Sequence, residues 1–98
     1  MATLILPATT LGAQSKPFVV RTRAQATGIA VGLAGAETAN LQISVDQGAT
    51  WQDVLPVATF QLSATVPSRG VGSPGLYRYN KGVTVAAVPI YAATEADA

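Results

Sequence analysis

The chain has no cysteine and no histidine among its 98 residues, and only 11% of it is charged. Without thiols there is no disulfide staple and no thiolate metal site. Without imidazole, serine triads, histidine-bearing zinc sites and the usual proton shuttle lose their central residue. Carboxylate chemistry remains formally open. Six Lys and Arg against five Asp and Glu give a net charge of +1, with no cluster of cations of the kind that holds nucleic acid. No apolar run approaches the roughly 20 residues needed to cross a bilayer. In the leading MATLILPATTLGAQ, Pro7 cuts the run after Leu6, and the basic start of a signal peptide is missing. The expectation is an unexported chain with no cofactor, no nucleic-acid partner and no membrane partner.

The shortage of charge carries information in a chain this short. Soluble domains have about 25% charged residues, and a small body, with its high ratio of surface to volume, needs a larger polar share than most. Here the share is smaller and mean hydropathy is positive. Part of the surface is therefore expected to be covered by other protein chains.

Turn formers punctuate the sequence at Gly12, Pro17, Gly28, Gly35, Gly48, Pro56, Pro67, Gly72 to Gly75 and Gly82, with short β-type runs between them. The runs are 17–23, 27–34, 40–45, 50–57, 60–66, 76–79 and 83–92. Alternation places Leu41, Ile43 and Val45 on one face and Ile29, Val31 and Leu33 on another, each expected to face a core. The run ending in VPIYAA is apolar on both sides, which fits a strand covered twice or one at a subunit contact, and Pro89 places it at an edge or a bulge. Residues 33–41, LAGAETANL, read as a loop and not a helix. The expected architecture is all-β: one small sandwich or barrel of about seven short antiparallel strands. It comprises an extended N-terminal arm at 1–14, a β domain at 15–92 and a flexible tail at 93–98.

Ser44 to Trp51 read SVDQGATW, which fills every position of the S-x-D-x-G-x-T-W pattern. This resembles the Asp-box hairpin that recurs around the propellers of sialidases and related glycan-processing enzymes. The resemblance implies a turn: Asp46 accepting backbone N–H groups, Gly48 supplying positive φ, and Trp51 sealing the base, with Ser44 and Thr50 completing the motif. It implies no chemistry, because the motif lies away from the catalytic cleft in those proteins and a single copy leaves no room for the remaining blades. Glycoside hydrolysis needs two carboxylates across a cleft, and in the body of the chain only Glu37, Asp46 and Asp53 are available. They read as a loop acid, a turn acid and a strand surface acid, without the ligand spacing of a calcium loop.

Arg69 to Gly75, RGVGSPG, lacks the Lys-Ser/Thr ending of a phosphate loop and leads into a strand, so it reads as a surface loop with Arg69 available to a partner. Tyr77 and Tyr79 share one strand face and Arg78 takes the other. With SVDQGATW, PGLYRYNKG and the apolar leading arm, the chain resembles small bacteriophage virion proteins of the β-sandwich kind that decorate or cement capsids or contribute to tails and fibres. That resemblance implies a structural, non-enzymatic role in the virion, with capsid or tail subunits as partners and a homo-oligomeric or lattice-bound state. Candidate partner contacts are Thr3, Leu4, Ile5, Leu6 and Leu11 in the arm, then Arg69, Tyr77 and Tyr79. The alternative is a carbohydrate- or receptor-binding module in which Trp51, Tyr77 and Tyr79 stack on sugars, which requires two of these rings exposed on one face.

Overall fold

Side-chain alternation along the longest strands decides which face is buried, and two such faces pressed together make the molecule. The computed structural model describes residues 3–21 and 25–94. Along the chain run β1 (Thr3–Thr9), β2 (Ala13–Gln14), β3 (Phe18–Val20), β4 (Ala26–Ala30), β5 (Thr38–Ser44) and β6 (Gln52–Asp53). A single helical turn α1 (Val57–Phe60) follows, then β7 (Leu62–Ser63), β8 (Ser68–Val71), β9 (Gly75–Lys81) and β10 (Val88–Thr94). One antiparallel sheet has the order β1-β10-β4-β8, and the other has β2-β9-β5-β6, with β3 also on β9 and β7 also on β5. The fold is an all-β sandwich. Each of the seven expected runs contains a strand, and β1, β2 and β8 are additional.

The first sheet sends Ile5, Leu6, Ala26, Ala30, Val71, Val88 and Ile90 inward, and the second sends Phe18, Leu41, Leu62, Tyr77 and Tyr79. Phe18 stacks on both tyrosines, with ring centroids 6.0 Å from Tyr77 and 5.8 Å from Tyr79. The small residues of β4 face this aromatic layer, and for a steric reason: a Cβ on Gly28 would lie 2.0 Å from the Tyr79 hydroxyl oxygen. Hence the expectation for Ile29 and Val31 is inverted, while Leu33, beyond the end of β4, is partly buried and packs against the core as expected. Ala26, Gly28 and Ala30 are buried, while Ile29 is half-buried and Val31 is exposed. Large rings from one sheet claim the space that larger side chains on β4 would have filled.

Residues 3–9 do not form an arm. They pair with β10 from Thr3↔Ala92 to Thr9↔Val88, and Ile5 and Leu6 are 5% and 6% exposed. Burying two such side chains stabilises the fold by about 1.5–3 kcal/mol each. The sequence reading took Pro7 as a break; it lies in a strand whose register shifts between Leu6 and Thr9, and proline is tolerated where the ladder is already irregular. At the other end of the chain, Ala93 and Thr94 belong to β10, and positions 95–98 of the expected tail lie outside the described residues. Residues 83–87 precede β10 as a loop, so the expected strand 83–92 begins only at Val88.

Candidate functional site

The hairpin between β5 and β6 is a closed set of short-range bonds. Ser44 Oγ donates to Asp46 Oδ1 at 2.8 Å and accepts from the Gly48 N–H at 2.7 Å. Asp46 Oδ1 also accepts the Thr50 N–H at 2.9 Å, and its Oδ2 accepts the Thr50 hydroxyl. The Trp51 indole N–H donates to the Gly48 carbonyl at 3.2 Å, and Gln47 and Gly48 carry the positive φ values, 62° and 94°. Every motif residue therefore has a turn-forming partner. The bonds from Thr50 hold the Asp46 carboxyl at about 2, below its ordinary 3.8. Arg78 lies over the Trp51 ring, 4.5 Å from its centroid, and donates through Nε to Gln42, which donates in turn to Asp53.

The candidate contact residues separate sharply. Thr3, Leu4 and Leu11 are exposed, with Leu11 at 69%. Ile5, Leu6, Tyr77 and Tyr79 are buried and unavailable to a partner, because each points into the layer between the sheets. Arg69 is half-buried and already engaged: Nε donates to the Gln61 carbonyl at 2.8 Å and a terminal nitrogen to the Ala58 carbonyl at 3.2 Å. It fastens β8 to the segment around α1 and is not a free loop cation. With both tyrosines buried, the ring pair that a sugar-stacking face requires is not present. The three acids are likewise dispersed in structural bonds, Asp46 in the hairpin, Asp53 on Gln42 and Glu37 at the opposite end of the sandwich. Among the described residues no three His, Cys, Asp or Glu side chains gather as a metal site, and no helix is long and apolar enough to cross a membrane.

Sequence reasoning missed that opposite end. There Lys81, 1% exposed, donates from Nζ to the carbonyls of Leu11 at 2.7 Å and Gly82 at 3.0 Å. Thr84, also buried, donates its N–H to the Thr10 carbonyl at 3.0 Å and its hydroxyl to the Ala86 carbonyl at 2.7 Å. Glu37 accepts the N–H of Ala34 at 2.9 Å and of Val85 at 2.8 Å. Burial lowers the Lys81 ammonium below its usual range, opposed by the charge of Glu37. Lys81 and Thr84 thus point inward and, with the half-buried Glu37, tie the 9–12, 31–37 and 82–87 loops together, while Leu11, Val83 and Val85 point outward, the last two 77% and 92% exposed. This polarity is the reverse of an ordinary loop surface. Its trace in the sequence is Val83-Thr84-Val85, whose alternation reads equally well with the threonine inside or outside.

A second feature lies between the sheets at the hairpin end. A cavity of about 240 Å³ is lined by Leu41, Ile43, Val54, Phe60, Val71 and Tyr77, with Gly72 and Ser73 at its rim. The Tyr77 hydroxyl is spent on the Ser73 carbonyl at 2.9 Å, and the lining is mainly apolar. Comparison with protein-family models, curated proteins and solved structures gives no match for this chain.

Proposed function

We propose that the protein is a structural component of a bacteriophage virion, a decoration or cement subunit that binds neighbouring capsid or tail proteins and stabilises the assembly. One observation carries this reading: the tip formed by Leu11, Val83 and Val85 turns apolar side chains to solvent on loops braced from within by Lys81 and Thr84 and at the surface by Glu37. A rigid apolar projection ordered in advance loses little entropy on docking, and it costs solubility when left uncovered. The low charge of the chain supports the same reading. Contact is made by this tip, with Leu4 exposed on the adjoining edge strand, and not by a flexible arm. Many small contacts repeated over a symmetric shell add up through high effective concentration.

The test is sedimentation of lysates in which the particle assembles, comparing the wild type with the tip variant Val83→Asp/Val85→Asp. The wild type is expected to travel with the fraction that contains the major capsid or tail protein, and the folded variant to remain at the top of the gradient. A wild-type chain that stays at the top as a monomer of 10.0 kDa overturns the proposal.

A further inference from the structure

The cavity at the hairpin end draws its walls from three parts of the chain. Leu41, Ile43 and Tyr77 come from β5 and β9, Val71 from β8, and Val54 and Phe60 from the 54–60 segment that carries α1. Each wall is fastened separately. The Tyr77 ring is held by its bond to the Ser73 carbonyl and by Phe18 stacked on it, with 6.0 Å between centroids. Arg69 ties the α1 segment to β8 through the Gln61 and Ala58 carbonyls. Walls anchored in this way resist closing over the space between them, and a space that cannot collapse weighs on stability unless something fills it.

Water is a poor occupant, because a buried water needs two to four polar partners. The lining side chains are aliphatic and aromatic apart from Ser73 at the rim, and the Tyr77 hydroxyl already donates to the Ser73 carbonyl. Volume sets the size of a better guest. An apolar cavity of about 150 Å³ takes a benzene ring, so one of about 240 Å³ has room, in proportion, for roughly nine non-hydrogen atoms. Phe60 and Tyr77 present rings to the guest, which favours an aromatic one over an aliphatic one of the same volume. No charged side chain is among the described lining residues, so an ionised guest would be desolvated without a partner. At the mouth Ser73 is exposed, and among the described residues its hydroxyl has no hydrogen-bond partner.

We infer that the cavity is a binding site for a small neutral aromatic molecule of roughly nine non-hydrogen atoms, its ring system against Phe60 and Tyr77 and its one polar group at Ser73. Indole has this size and chemistry. The site goes beyond the structural role and is independent of it, since the tip adjoins the other end of the β5–β9 ladder, where Ala39 pairs with Lys81.

The test is titration of the wild-type chain with indole, followed by methyl signals in NMR spectra. Those of Leu41, Ile43, Val54 and Val71 are expected to shift saturably while those of Leu11, Val83 and Val85 stay in place. The unfolding midpoint is expected to rise by several degrees at saturation. Ser73→Ala should weaken indole several-fold and leave indene, the same shape without the N–H, unchanged. Val54→Phe, which fills the space, should abolish both responses; where that variant does not fold, the position of the shifting methyls in the wild type decides. The absence of saturable shifts up to the solubility of indole, shifts of equal size at the tip, or an undiminished response in folded Val54→Phe overturns the site. A response confined to N-acetyltryptophanamide, the same ring on a peptide backbone, overturns its assignment to a free small molecule.

Discussion

The two ends of the sandwich are held by the same kind of bond, a side chain tied to a loop backbone, and they differ in how far apart along the chain the partners lie. At the hairpin end the partners are two to four residues apart, from Ser44 with Asp46 to Thr50 with Asp46. At the tip Lys81 reaches Leu11 across 70 positions, Thr84 reaches Thr9 across 75, and Val85 reaches Glu37 across 48. The hairpin is thus a local device that needs little beyond its own eight residues. The tip exists only after both sheets have assembled, because only then do three distant loops meet.

Removing residues 3–11 breaks the comparison most severely. It deletes β1 with Ile5 and Leu6 and takes away the Leu11 carbonyl that Lys81 holds. The lost burial alone is about 3–6 kcal/mol against a typical domain stability of ~5–15 kcal/mol, so calorimetry is expected to show no cooperative transition. A folded truncated domain would restore the arm. Next in size is Gly28→Ala, which drives a methyl into the Tyr79 ring. Its cost is expected at the top of the ~1–3 kcal/mol range for overpacking, measured by denaturant unfolding.

Lys81→Met separates the two ends. It leaves the Leu11 and Gly82 carbonyls without their donor, and it also relieves a buried ammonium. The net loss is expected at about 1–3 kcal/mol, with amide exchange accelerated around Thr84 and Val85 and unchanged at Gly48 and Thr50. The smallest effect belongs to the hairpin and to acid. Asp46 has its pKa lowered from 3.8 to about 2 by Thr50 and Ser44, so its contribution is present above the unfolded value and declines as pH falls from about 4 towards 2. Fluorescence of Trp51, the single tryptophan, is expected to change over that interval in the wild type and to be flat in Asp46→Asn. A wild-type signal that is also flat would detach Asp46 from the ring.

The same distinction decides what was legible in the sequence. Turn chemistry at Asp46 and Gly48 and the period-two pattern around Leu41 are local, and they delivered the hairpin and the all-β class. Long-range choices were hidden. Nothing near Leu4 announces that β10 lies alongside it, so β1 read as an arm, and Pro7 looked like a terminator when it occupies an irregular register. Along and just past β4 the apolar pattern favoured Ile29 and Val31 inward, whereas the bulk of Tyr79, 51 residues after Gly28, requires that glycine there. The loop 45–51 is also longer than the four residues expected between strands, since Ser44 and Thr50 spend their bonds on Asp46 and Val45 turns outward, 90% exposed.

The central claim is that another protein chain covers the tip in the native particle, and the accessibility of position 85 tests it most directly. A Val85→Cys chain carries a single thiol, which a maleimide reagent should modify rapidly in the isolated protein. In the intact particle the account predicts protection, with reactivity restored on dissociation. Equal reaction rates in the free and assembled states would show that the tip faces solvent throughout and contradict the claim.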